Sequence, residues 1–175
     1  GAGRPSAAVT PDGKYLVTAG NRPAGKGAEE LVVTGWDLTT GAKKGEMVGK
    51  SQYLQPHVVA GPDNKTAGLA TGDGKVIVFD FLEGKEIRSF PLGTRKHNAL
   101  LVLTPDGKRL AVACQPSFGT NVSTPVLIFD WATGKLLETL TVPGTPPAAM
   151  AFSPDGKTLV TSAPDTTATV WEVGQ

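Results

Sequence analysis

The sequence predicts an all-β fold assembled from four copies of one four-strand unit. Three observations predict it. One phrase recurs four times, as "TPDGKYLVTAG", "GPDNKTAGLATG", "TPDGKRLAVAC" and "SPDGKTLVTSA", with its aspartates Asp12, Asp63, Asp106 and Asp155 spaced 51, 43 and 49 residues apart. Helical periodicity is missing throughout, and the apolar runs are too short for core helices. The 22 Gly and 14 Pro, about a fifth of the 175 residues, punctuate the chain into many short elements.

The elements of each unit follow in order. A leading strand of mostly small or aliphatic residues reads "AAVT", "VVAG", "LLVLT" or "AAMAF". It runs into the Pro-Asp-Gly turn, where Pro presets φ and Gly supplies a positive one. A second strand and a variable loop come next. The third strand carries an aromatic–acid pair, in "VVTGWDLTTG", "VIVFDFLEG", "VLIFDWATG" and "ATVWEV". Three copies then turn at Gly41, Gly84 and Gly134 into a fourth strand, "EMVG", "EIRSF" and "LLETL". The units span roughly 5–50, 55–93, 97–142 and 146–175 of a single domain covering 1–175. Such a unit cannot bury both faces alone, but it can when stacked radially on its neighbours. The pattern is that of a β-propeller.

These residues resemble the WD-repeat and YVTN-type β-propellers over nearly the whole chain. "FSPDGKTLVTSAPDTTATVWEV" looks like a WD-repeat blade, and "FDWATGKLLETLTVPGTPPAAMAFSPDGKTL" looks equally like the YVTN-type variant. The resemblance implies a polar set in each blade: His before the first strand, Ser or Thr in the second, Asp before the third, Trp within it. Thr161, Asp165 and Trp171 match in blade four, where no His precedes. Blade two keeps Asp73 but has Leu69 and Phe79 in place of the hydroxyl and the Trp, and blades one and three lack the Asp. No blade carries the full set, so packing is expected to be mainly apolar. The family implies a non-catalytic scaffold for protein–protein interaction, alone or as a module of a larger protein. The alternative is a lactonase- or quinoprotein-like enzyme acting at the central channel. The leading strands are too apolar to favour it.

Composition narrows the classes further. A net charge of +1 gives no electrostatic case for nucleic acid, and no run is long enough to span a bilayer. The single cysteine, Cys114, excludes an internal disulfide and a thiolate-rich metal site, and "LAVACQ" reads as a buried strand. His57 and His97 stand in different blades, and spacing cannot join them into a ligand set. The acids fall mostly in Pro-Asp-Gly turns or aromatic–acid pairs. No catalytic residue, metal or cofactor is expected. "GNRPAGKGAEE" (20–30) approaches a phosphate-binding loop, but Gly27 stands where the magnesium-binding hydroxyl belongs, and a strand follows instead of a helix.

From turn aspartate to aromatic, blades two and four count 16 residues, blade one 24 and blade three 23. "GNRPAGKGAEE" is thus an eight-residue insertion and "QPSFGTNVSTP" a seven-residue one at the same place. Loops on a rigid scaffold are where binding concentrates, although insertions also drift at little cost in stability. The expected partner-binding residues are Arg22, Lys26, Phe118 and Asn121. Phe118 reads either as an anchor for a partner or as a lid over its own hairpin. Blade four ends after its third strand, and only "GAGR" precedes blade one. Two chains are therefore expected to pair into an eight-bladed disc, unless further blades of a longer chain complete it. The opening "GAG", without Met, fits an artificial start or an excised piece.

Overall fold

The computed structural model describes residues 5–25, 28–50, 56–71, 73–93, 99–114, 124–142 and 146–174. Among these residues the chain is all-β, with four antiparallel sheets, each a simple meander. The first sheet joins β1 (Ser6–Val9), β2 (Tyr15–Gly25), β3 (Ala28–Asp37) and β4 (Lys43–Lys50). The second joins β5 (Val58–Ala60), β6 (Thr66–Thr71), β7 (Lys75–Asp80) and β8 (Lys85–Pro91). The third joins β9 (Ala99–Leu103), β10 (Arg109–Cys114), β11 (Thr124–Asp130) and β12 (Leu136–Val142). The fourth has three strands among the described residues, β13 (Ala149–Phe152), β14 (Thr158–Ser162) and β15 (Ala168–Glu172). The chain divides into two compact units, Gly1–Asn98 and Ala99–Gln175, with two sheets in each.

The repeated phrase makes the same turn each time. Thr10 Oγ1 donates to Asp12 Oδ1 at 2.7 Å, that carboxylate accepts the Lys14 amide, and the Tyr15 amide returns to Thr10 Oγ1. Thr104, Asp106 and Arg109 repeat it, as do Ser153, Asp155 and Thr158. Gly13, Gly107 and Gly156 supply the positive φ of 69–71°. In the second sheet Gly61 replaces the leading hydroxyl. Thr66, on the far side of the turn, donates to Asp63 instead, at 2.6 Å. Asn64 takes the glycine's place at φ 60°, a conformation Asn tolerates better than most residues.

Within the first unit β1 lies beside β5, and Ser6 Oγ accepts the Val58 amide at 2.9 Å. The core between the sheets joins Val17, Ala19 and Val33 to Val58, Ala67, Leu69, Phe79 and Phe81. Phe81 stacks obliquely on Tyr15, ring centroids 5.8 Å apart. It reaches the first sheet because Gly35 and Gly45 leave room. A Cβ on Gly35 would stand 2.6 Å from Phe81 Cδ2, and one on Gly45 would run into the Phe81 carbonyl.

The second unit repeats the plan with the sizes reversed. β9 lies beside β13, and Ala111, Ala113, Val126, Ile128, Leu140 and Val142 pack on Leu159 and Val173. By register Ile128, opposite Ala111, occupies the place of Gly35, opposite Val17. Val173 occupies the place of Phe81. A glycine faces a phenylalanine in one junction, and an isoleucine faces a valine in the other. Cys114 closes β10 as a buried thiol outside any disulfide, as its alternating setting predicts.

Candidate interaction surface

The described residues of the eight-residue insertion in the first sheet continue its strands. They prolong β2 and β3 into a hairpin whose pairs run Asn21↔Leu31, Arg22↔Glu30, Pro23↔Glu29 and Gly25↔Ala28. The hairpin-like loop expected there is paired along its described residues. Leu31, Val32 and Val33 favour extended backbone strongly enough to carry the strand outward, and β4 pairs alongside as far as Glu30↔Lys50. Gly25 belongs to a strand, and among the described residues of the hairpin no helix start offers the amide cradle a phosphate needs.

Alternation sets the hairpin's chemistry. Val17, Ala19 and Val33 face the core, so Leu16, Thr18, Gly20 and Arg22 of β2 face the other way, with Glu30, Val32, Thr34 and Trp36 of β3 beside them. Arg22 Nε donates to Glu30 Oε2 at 2.9 Å, and its Nη1 lies 3.8 Å from Glu46 Oε1. Lys43 Nζ donates to the other Glu46 oxygen at 2.5 Å. The Lys43 hydrogen bond holds the Glu46 carboxyl below the usual range, and Arg22 adds to it. Arg22 is half-exposed, and pairing with Glu30 limits its wandering. Val9, Leu38 and Val48 are exposed large apolar residues of the same sheet and the turn after β3. The surface is an apolar strip with a charged rim.

Two polar pairs that the sequence reading underrated brace the sheets. Trp36 Nε1 donates to Thr18 Oγ1 at 3.0 Å and Trp171 Nε1 to Thr161 Oγ1 at 3.1 Å. They brace a core that is mainly apolar, as expected. Thr18 is paired with Thr34 across the ladder, diagonal to Trp36, and that diagonal brings the hydroxyl under the indole. Asp165, which matches a family position, serves only its own turn, accepting from the Thr167 amide and hydroxyl.

Of the residues expected at the site, Arg22 lies on the outward face of the hairpin. Lys26, Phe118 and Asn121 lie outside the described residues, as does His97. His57 precedes β5, half-buried, and burial pushes the pKa of its imidazole down. Among the described residues no three His, Cys, Asp or Glu side chains gather as metal ligands. The exposed Leu38 was missed. Its signal is positional, because it follows an aromatic–acid pair as Phe81, Trp131 and Val173 do.

Residues 134–172 match the family model described as WD domain, G-beta repeat. That span takes in β12 and β13–β15, so the sequence repeat runs one strand out of step with the sheets. Comparison with the curated proteins gives no match. Among solved structures, the chain is similar to a chain described as Kuenenia stuttgartiensis Hydrazine Synthase, with a TM-score of 0.69 and 23% identity over 91% of the present chain. It spans 43% of that chain, less than half its length. As many as 877 solved chains match, a breadth expected of a fold that hosts unrelated activities. These comparisons show an all-β chain of propeller-blade sheets that carries a WD-type repeat over residues 134–172.

Proposed function

We propose that the chain is a non-catalytic scaffold for protein–protein interaction, presenting the projecting hairpin to a protein partner. The observation that carries this reading is the use made of the aspartates. Asp12, Asp63, Asp106 and Asp155 bind their own turns. Asp37, Asp80 and Asp130 each accept amides from the turn that follows the third strand. Asp73 and Asp165 accept neighbouring threonine hydroxyls. All nine aspartates of the sequence are thus engaged as structural acceptors. A general acid needs a raised pKa. The carboxyls of the repeated turns lie below their usual range instead, as at Asp12, where the Thr10 hydrogen bond leads.

A photo-crosslinking residue in place of Ala24, on the exposed hairpin, tests the proposal in extract of the source cells. Crosslinking to one defined protein is expected. Elemental analysis and an ultraviolet–visible spectrum test the lactonase- or quinoprotein-like alternative, for which no specific observation speaks. A stoichiometric metal or quinone chromophore, with turnover, would overturn the proposal.

A further inference from the structure

β4, β8 and β12 bulge at one place. The register shifts between Gly35 and Trp36, between Val78 and Phe79, and between Ile128 and Phe129. Lys44, Ile87 and Leu137 are the extra residues this leaves on the last strand of each sheet. Such a bulge bends an edge away from further strand pairing. The chemistry around it differs from sheet to sheet. The first bulge reads Lys43-Lys44-Gly45, the second Glu86-Ile87-Arg88 and the third Leu136-Leu137-Glu138. Charged side chains guard the first two, as edges are commonly guarded. The third sets two leucines side by side, 47% and 49% exposed.

The charges beside these leucines are unengaged as well. In the first sheet Lys43 pairs with Glu46 and Lys44 with Asp37, and in the second Lys85 lies near Glu83. Lys135 and Glu138 flank Leu136-Leu137, the lysine exposed and the glutamate half-buried. Neither has an ion-pair partner among the described residues. Lys135-Leu136-Leu137-Glu138 is also its own complement when two copies run antiparallel. A two-fold axis between the leucines sets Lys135 against Glu138 and Leu136 against Leu137, and then the same pairs once more.

We propose that two copies of the chain associate through this segment at the edge of the third sheet, as an isologous two-fold contact. The leucines supply its apolar centre. The two lysine–glutamate pairs set its direction, because a parallel approach would put Lys on Lys and Glu on Glu. So short a segment makes a weak, concentration-dependent contact. The third sheet carries all of it, so it does not depend on the hairpin of the first sheet or on the hairpin's partner.

Sedimentation equilibrium on the 175-residue chain is the test, with circular dichroism to confirm folding. The mass should rise from 18.1 kDa toward twice that value as concentration approaches about 1 mM. Lys135→Glu and Glu138→Lys each set like charges face to face and should weaken pairing roughly tenfold or more. An equimolar mixture of the two should pair again, because one copy then offers two acids to the other's two lysines. The double exchange should pair as the wild type does. Leu137→Ser should weaken pairing by a similar factor with the charges left in place. A wild-type monomer at about 1 mM overturns the proposal. Association that the single exchanges leave unchanged, or a mixture that fails to pair, overturns it too.

Discussion

Arg109 Nη1 donates to the carbonyl oxygen of Val173 at 2.9 Å, tying the third sheet to the end of the fourth. Its Nη2 reaches the Gly156 carbonyl at 2.6 Å. By register Arg109 stands where Tyr15 does, each opposite the acid of the third strand. A guanidinium fork on two carbonyls thus replaces a ring on a ring, Tyr15 on Phe81. Two junctions of one plan are closed by different chemistry.

Arg109→Met should therefore destabilise the chain by about 1.5–3 kcal/mol, the range for hydrogen bonds to a charged group. Arg109→Lys should recover only part of that, since an ammonium lacks the planar fork that spans both carbonyls. Urea unfolding followed by circular dichroism reads both. Equal stability of the wild type and the Met variant would show that the fork is not needed.

The first junction depends on an absent side chain. A Cβ on Gly35 would stand 2.6 Å from Phe81 Cδ2 and 2.8 Å from the Phe81 carbonyl oxygen. Gly35→Ala should cost about 1–3 kcal/mol, as overpacking does. Phe81→Val should rescue it only in part, because no side-chain change moves that carbonyl. Denaturant midpoints of the two single variants and the double variant measure the coupling.

Much of the fold was legible because its signals are local. Pro-Asp-Gly and the aromatic–acid pair fix turns and strand ends within a few residues of themselves, and they repeat. The hairpin at 20–30 was legible, but not how far its ladder runs, because a stretch rich in Gly and Pro has loop composition. Pairing with Leu31–Val33 and then β4 overrides that composition. Thr18 was legible only by analogy with Thr161, and the family pattern drew attention to the missing Asp instead. Leu38 was legible in principle, from its place after Trp36-Asp37, but exposure is a property of the assembled sheets. Nothing in "WDLTTG" distinguishes a buried side chain from a bare one.

The turn aspartates make stability depend on acid. Asp12, Asp106 and Asp155 are held below the usual carboxylate range chiefly by the Thr10, Thr104 and Ser153 hydroxyls, and then by the amides of Lys14, Lys108 and Lys157. A folded pKa below the unfolded one stabilises the chain above the unfolded value and loses that stability as pH falls through the folded value. The melting temperature should stay level down to about pH 4 and then fall. Thr104→Val and Ser153→Ala should flatten the fall while lowering the plateau. Scanning calorimetry from about pH 7 to about pH 2 reads it, and an unchanged slope in the double variant would contradict the assignment.

Nucleotide binding at the hairpin is expected to be absent. Gly25 pairs with Ala28 in an antiparallel ladder, which is not the helix start that a phosphate-binding loop leads into. Titration with ATP and Mg²⁺ should give no saturable signal, and Lys26→Ala should change nothing. Micromolar, Mg²⁺-dependent binding lost in that variant would contradict the reading.

Arg22 decides whether the hairpin is a contact or an ornament of the sheet. Its ion pairs with Glu30 and Glu46 are exposed, and such pairs contribute about 0–1 kcal/mol. Arg22→Ala should thus leave the melting temperature nearly unchanged. If the hairpin is part of the partner's footprint, the same change should weaken capture by more than about 1 kcal/mol, because a paired, partly immobilised guanidinium is a frequent energetic centre. Arg22→Lys should restore charge without restoring affinity, since only the fork engages Glu30 and a partner's acceptor together. Phe118→Ala offers a parallel test at the other insertion. An anchor there would lose capture with stability intact, whereas a lid would lose roughly 3 kcal/mol of stability instead. Intact capture in both alanine variants would remove the two insertions from the interface and leave binding to the sheet faces.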